Sequence, residues 1–597
     1  MTVKSPKSPV TTPGRPAACW PARDGTPWID EPVGELLGRR ARASANRPAL
    51  YWLEHRDLRV VTYGELYVDA ARCARGLAAV LPPGGFVAVC APNSVEWVVL
   101  EYAAALAGVV LVPINPSMAD PEIEHILRLT GAGLVLTVEA FRGQPVAARI
   151  RILAEALTVP VAVDDLSLWF QRTIMSPANQ GPPVPPPSVA PTSLPPGPPG
   201  PPVPLAPLPP GPPLPTVRPE DPFLVQYTSG TTGRPKGALH SHASAVNAAA
   251  TWVADWDHSP DDVLVAPVPL HHVGASITGL LGCLATGSAL GLLPDYDPGA
   301  IVELLRRSHA TVLAAVPTML FDLQRLPGFD VSALTDLRIV VGGGAAVPAS
   351  TVARIEADFG ARFVVSYGQS ESPAILQTPA ADSVEVKATT LGRPLPGRAV
   401  RIARRGGDGD EGSEGSDAGT AELDEIGEIC VRTRTRMSEY LHQPEATAEV
   451  IDSDGWLHTG DLGAMDERGY VSFHGRARDV IIRGGENLYP GEIEAVLAEH
   501  PAVAAVAMVG APDERWGEVP VAFVQLTQAA ASSASGASGA SGEGAAEGQL
   551  RESLEAHGRA RLASFKVPRR WFFVEAMPMT ASGKIRKVEL RERLTDQ

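Results

Sequence analysis

Residues 227–237 read YTSGTTGRPKG. Within eleven positions stand three glycines, four Ser or Thr hydroxyls, one lysine and one arginine. The apolar run FLVQY leads in, and helix-like ASAVNAAATWVA follows shortly. Glycines in a bend after a strand, here Gly230 and Gly233, let backbone N–H groups converge on an anion. Thr228, Ser229, Thr231 and Thr232 add hydroxyl donors, and Arg234 and Lys236 bring positive charge. That set suits a polyphosphate. It is not a Walker A loop, which needs Gly directly before Lys and Ser or Thr after it. Here Pro235 precedes Lys236 and Gly237 follows. On composition alone, an ordinary flexible turn is an equal reading.

Working outward, residues 60–150 alternate helix-like and strand-like runs: YGELYVDAARCARGLAAVL, FVAVCAP, SVEWVVLEYAAALAGV, VLVPIN, EIEHILRLTGA and GLVLTV. Apolar strands alternating with helices predict a largely parallel sheet covered by helices. The rhythm resumes from 221 to about 400, with strands FLVQYTS, VLVAPVP, TVLAAVP, LRIVVGG and RFVVSYG and helices PGAIVELLRRS and ASTVARIEADFG. Three segments break it. Residues 177–219 are dominated by proline, which lacks a donor for sheet ladders and favours an extended spacer. Residues 405–424 are acidic and Gly-rich, and 528–548 are rich in Ala, Ser and Gly. The latter two read as lengthened surface loops, which cost little free energy. Residues 425–527 and 549–597 read as mixed α+β.

The chain has 597 residues, of which 45% are hydrophobic and 20% charged. At roughly 100–200 residues per domain, three to five units are expected. A net charge of −16 argues against wholesale binding to nucleic acid. The cysteines Cys19, Cys73, Cys90, Cys283 and Cys430 are odd in number and far apart, with no CxxC pair. They read as free thiols in a reducing compartment, which implies a cytoplasmic location. The opening MTVKSPKSPVTTPGRP has no apolar core for a secretory signal and reads as a disordered tail. Residues 273–294 carry no charge, but Gly, Ser and Thr interrupt them. A buried helix over 276–285 and a strand over 288–293 are expected there rather than a membrane span.

The whole string YTSGTTGRPKG closely resembles the phosphate-loop signature of the adenylate-forming superfamily: acyl-CoA synthetases, peptide-synthetase adenylation domains and luciferases. Further motifs of that family follow in order, and the resemblance spans roughly 30–597 apart from the three insertions. In SYGQSES, 366–372, it implies that Tyr367, with Gly368, Gln369 and Ser370, borders the adenine. Glu371 would hold magnesium at the phosphates, as a hard cation wants carboxylate and phosphate oxygens. The family commonly has Thr where Ser370 stands, so the hydroxyl is kept. In GWLHTGDLG, 455–463, Asp461 matches the carboxylate that takes both ribose hydroxyls. In HGRARDVIIRGGENLYPGEIE, 474–494, Arg476 matches a residue near ribose and phosphate, and 478–479 match the interdomain hinge. The family usually has Asp or Lys where Arg478 stands. Gly484 and Gly485 match the loop lining the pantetheine tunnel in CoA-ligating members. In PMTASGKIRKVEL, 578–590, Lys584 matches the catalytic lysine of the first half-reaction, although alone it would read as a solvated charge. In PLHHVGA, 269–275, His272 aligns with the histidine at the acyl pocket. His271 and His272 are adjacent and point apart on a strand, which disfavours a paired metal site. Gly343, in GGGAA at 342–346, joins the nucleotide-binding positions.

The fold class implied is α/β: a large N-terminal domain of mostly parallel sheets with flanking helices, over 30–477, plus a small mobile α+β C-terminal domain over 478–597, after a disordered tail over 1–29. The implied reaction has two steps. A carboxylate attacks the α-phosphate of ATP, and the acyl-adenylate then passes its acyl group to a thiol. Thr228, His272, Glu371 and Lys584 are the expected catalytic residues, with ATP, Mg2+ and coenzyme A as cofactors. The stretches 271–275, 314–319 and 342–346 are apolar or small, and no Asp stands at 272–276 to hold an amino-acid ammonium. A fatty or other apolar acid is therefore expected, in a free-standing enzyme. A stand-alone acyl-AMP ligase that loads a carrier protein is the alternative. A catalytically silent scaffold using the proline segment is a third reading, opposed by Glu371, Asp461 and Lys584.

Overall fold

The computed structural model describes residues 16–158, 160–175, 213–228, 235–327, 329, 334–343, 349–404, 419–483, 486–513, 515–535, 543–579 and 585–595. Several of its short strands are mostly apolar. Val110–Pro113 and Leu134–Thr137 are buried throughout, as strands covered on both faces must be. They belong to a seven-stranded sheet in the order Glu439–Tyr440, Lys236–Ser241, Pro222–Thr228, Val110–Pro113, Phe86–Cys90, Leu134–Thr137, Ala162–Asp165. The last five are parallel and the first two run antiparallel.

A nine-stranded sheet runs Arg393–Pro394, Ser372–Gln377, Arg362–Gln369, Ile339–Gly343, Val312–Ala314, Val263–Val265, Ala289–Leu292, Pro48–Glu54, Asp57–Thr62. Its six middle strands, Arg362–Gln369 through Pro48–Glu54, are parallel. Helices Val95–Ala107 and His242–Ala254 join the two sheets in one core that takes Leu50, Leu264 and Leu290 from one and Val87, Leu111 and Leu224 from the other. Local chemistry sets the helix ends. Ser94 accepts the Trp97 N–H, Ser241 accepts that of Ser244, and Gly108 closes Val95–Ala107 at φ 62°, a left-handed conformation that suits glycine.

A third sheet is antiparallel throughout: Cys19–Trp20, Arg398–Ala403, Gly427–Thr433, Leu457–Met465, Val471–Arg476. The fourth contains Glu486–Leu488, Ile481–Arg483, Gly517–Leu526 and Val503–Asp513, with Arg570–Val574 parallel to Gly517–Leu526. Two apolar clusters around it draw only on residues from Ile481 onward.

Some expectations hold and others are corrected. The tail is shorter than 1–29, because Cys19–Trp20 pairs with Arg401 and Val400, and the Ile29 N–H donates to Asn247 Oδ1 at 2.8 Å. A strand, Lys236–Ser241, stands between the Gly-rich segment and the helix His242–Ala254. Residues 274–281 form a π-helix, Gly282–Thr286 an α-helix and Ala289–Leu292 a strand. Among the described residues no helix is long and apolar enough to cross a membrane. Part of 528–548 is helical, in Gln528–Ser535 and the start of Glu543–Arg559, as its alanines favour. His271 and His272 lie in a turn, not on a strand, with the His272 N–H on Pro269 O at 3.0 Å. All five cysteines are free, and all but Cys19 are buried. Most of the proline and acidic insertions, 176–212 and 405–418, lie outside the described residues.

Candidate active site

Parallel strands Val263–Val265, Ile339–Gly343 and Arg362–Gln369 send their carboxyl ends to one edge of the nine-stranded sheet. Ligands of open α/β sheets bind beyond such ends. Two glycines let the backbones crowd there. A Cβ on Gly343 would meet Ser366 O at 2.3 Å, and one on Gly368 would meet Ala374 N at 2.4 Å. Beyond Tyr367 the register with Ser372–Gln377 shifts through an irregularity at Tyr367 and Gln369. The chain turns, and Tyr367 and Glu371 serve different partners.

Tyr367 donates its hydroxyl to Asp461 Oδ2 at 2.7 Å, and Arg476 Nε lies 3.2 Å from Asp461 Oδ1. Asp461 and Arg476 are cross-strand partners on Leu457–Met465 and Val471–Arg476. Asp461 is only 4% exposed, yet its charge has a phenol and a guanidinium beside it. Burial and the Asp461 carboxylate hold the Tyr367 hydroxyl far above the ordinary phenol range, so it donates at neutral pH. The turn before Asp461 is tied down: Thr459 Oγ1 donates to Ile429 O at 2.7 Å and accepts from the Asp461 N–H at 3.1 Å.

Glu371 accepts from the Tyr440 hydroxyl at 2.6 Å. The Tyr440 ring sits 5.1 Å under Lys236 Nζ, and Lys236 reaches Glu449 at 3.6 Å. Burial, then Glu371, pushes the Tyr440 hydroxyl up. Lys236 opens the strand that pairs with Pro222–Thr228, and Thr228 is its direct partner. Glu439–Tyr440 pairs with the same strand at Leu239 and Ala238. One hairpin therefore carries Thr228 and Lys236 and draws in Tyr440, which no sequence pattern singled out. Ser370 O accepts from His240 Nε2 at 2.7 Å. Burial depresses the His240 pKa to about 4, so the ring is neutral and its Nε2 carries the donated proton.

The expected residues thus form two groups, Tyr367–Asp461–Arg476 and Glu371–Lys236–Thr228, on either side of the turn holding Gly368, Gln369 and Ser370. His272 stands apart, on the turn after Val263–Val265, with two strands between that strand and Arg362–Gln369. That turn is clamped by buried Asn93, which donates to Val268 O at 3.0 Å and accepts from the Leu270 N–H at 2.6 Å. Burial, then His272, depresses the neighbouring His271 to about 3. Ser229, Gly230, Thr231, Thr232, Gly233, Gly484, Gly485 and Lys584 lie outside the described residues. Their flanks are placed: Arg483 pairs with Glu486, and Met579 with Ile585.

In sequence and in overall fold the chain is similar to known proteins. The AMP-binding enzyme family model matches residues 37–441, and the AMP-binding enzyme C-terminal domain model matches 492–584. The chain is 31% identical over 570 residues to the putative acyl-CoA synthetase YngI of Bacillus subtilis, covering 95% of this chain and 97% of that one. It is 32% identical over 562 residues to the long-chain-fatty-acid–CoA ligase FadD13 of Mycobacterium tuberculosis, covering 94% and 98%. The ATP-bound RpMatB-BxBclM chimera superposes with a TM-score of 0.78 at 27% identity, covering 95% of this chain and 99% of that one. The chain belongs to the AMP-binding enzyme family, the adenylate-forming enzymes, and is of the acyl-CoA synthetase type.

Proposed function

We propose that the chain activates an apolar carboxylic acid with ATP to an acyl-adenylate and transfers the acyl group to coenzyme A, releasing AMP and pyrophosphate. The observation that carries this is the pairing of two unlike sites across one turn: Asp461 with Tyr367 at 2.7 Å, and Glu371 with Tyr440 at 2.6 Å. A carboxylate that accepts two hydrogen bonds suits a ribose diol. A carboxylate beside a lysine suits a magnesium–phosphate group. Their separation by the residues of one turn suits one nucleotide lying along it.

Asp461 and Arg476 take the ribose side in this reading, Tyr367 with Gly343 and 368–370 the adenine side. Lys236, Thr228, Ser229 and 230–233 take the phosphates. Glu371 fits Mg2+, because one carboxylate leaves its remaining positions to phosphate oxygens and water; the ion supplies charge neutralisation there. The acid needs no general base, since it is ionised near neutral pH. Lys584 and Lys236 offset the charge gathered as two anions approach. Gly484 and Gly485 leave room for the pantetheine arm. The acyl group lies toward His272 and 314–319, stretches without a cation. A panel of carboxylic acids, assayed for thioester with free CoA and with a carrier protein, tests this. Thioester with CoA and apolar acids is expected. Turnover with carrier protein alone, or with amino acids, overturns it.

A further inference from the structure

The strand Gly427–Thr433 places Glu428 and Cys430 two residues apart, hence on one face. Cys430 pairs directly with His458 on Leu457–Met465. His458 Nδ1 lies 3.5 Å from Cys430 Sγ and 2.9 Å from Glu428 Oε2, and the three donor atoms fall within 4.8 Å of one another. A tetrahedral ion bonded at about 2.3 Å to sulfur and about 2.0–2.2 Å to nitrogen and oxygen separates its donors by about 3.3–3.6 Å. Both measured edges stand within about half an ångström of that spacing.

The surroundings match a ligating imidazole. His458 Nε2 is 3.5 Å from Asp452 Oδ2, and Arg401 holds that same oxygen at 3.0 Å. With a carboxylate on the Nε2 side of the ring, Nδ1 is the nitrogen that faces Cys430 and Glu428. Charge balances as well. Arg401 answers Asp452, while the Glu428 carboxylate and a Cys430 thiolate answer a divalent ion. Cys430 is fully buried, whereas the Glu428 and His458 side chains are 25% and 22% exposed, which gives solvent an approach.

We propose that Glu428, Cys430 and His458 form a three-donor site for a thiophilic divalent cation of the zinc class, with the fourth position left to water. Binding releases the Cys430 thiol proton to solvent. The ion also braces the nearby turn, because Glu428 Oε1 already accepts the Gly460 N–H at 2.8 Å. The site stands independently of the reaction proposed above.

The test titrates Co2+ into metal-free full-length protein. Wild type is expected to show thiolate-to-cobalt charge-transfer absorption saturating at one ion per chain. Cys430→Ser and His458→Gln are expected to lose it, and Cys19→Ser to keep it. Zinc X-ray absorption on the wild type does not depend on the variants folding. It should find one sulfur at about 2.3 Å with nitrogen and oxygen at about 2.0–2.2 Å. A missing charge-transfer band, a band that survives in folded Cys430→Ser, or a zinc shell without sulfur each overturns the proposal. The cluster is then an imidazole held between carboxylates alone.

Discussion

Glu371 and Tyr440 meet at 2.6 Å from opposite sheets, and Lys236 rides on the same Tyr440 ring. The phenol therefore positions both the proposed magnesium ligand and the proposed phosphate lysine. A hydrogen bond to a charged group contributes about 1.5–3 kcal/mol, and about 1.4 kcal/mol is tenfold in rate. Tyr440→Phe is expected to lower kcat/KM for MgATP in the exchange reaction by about tenfold or more. The acid's KM should stay near the wild-type value. An unchanged MgATP term, or a loss confined to the acid, removes Tyr440 from the site.

At the scale of elements, Ala477–Asp479 is a short 3-10 turn directly after Arg476. Asp479 pairs with Arg591 of the helix Lys587–Thr595 at 2.9 Å. In the proposed cycle the part beyond this turn presents Lys584 for the first step and the 484–485 segment for the second. Paired variants separate the steps. Lys584→Ala should abolish adenylate formation while sparing thioester formation from supplied acyl-AMP. Gly485→Leu should spare ATP–pyrophosphate exchange and slow thioester formation. Equal losses in both halves by both variants contradict an alternating use of one pocket.

The strands at the carboxyl edge were legible because runs such as RFVVSYG and LRIVVGG are apolar and bounded by glycine. The strand KGALHS was not, because its pairing with Pro222–Thr228 and with Tyr440 spans the chain and leaves no local pattern. Tyr440 was missed for the same reason. So was the Glu428–Cys430–His458 cluster, in which ligand spacing along the sequence is replaced by cross-strand register. The Ala-rich insertion misled through its glycines and serines, while its alanines decided the helices.

At the scale of the whole molecule, several buried groups link stability to pH. Burial depresses His240, His242 and His258 to about 4 and His271 to about 3, against an ordinary 6.5. Between pH 6.5 and about 4 the unfolded chain binds these protons and the folded chain does not. Stability therefore falls as pH falls through that window. Burial raises Asp69 to about 6 and lifts Glu101 well above the carboxylate range, so these two act in the opposite sense. The lowered histidines, His474 and His500 among them, outnumber the raised acids Asp69, Glu101 and Asp255, so the balance is a loss of stability. The unfolding temperature should drop between pH 6.5 and 5, with net proton uptake on unfolding. A flat or rising profile contradicts the buried neutral histidines.

The central claim concerns the whole assembly: a nucleotide along the turn between Asp461 and Glu371 is attacked at its innermost phosphorus by an organic acid. The most direct measurement incubates the full chain with MgATP, CoA and an accepted acid and identifies the nucleotide product. AMP and pyrophosphate, each equal to the thioester formed and absent without the acid, are predicted. ADP with orthophosphate contradicts the account.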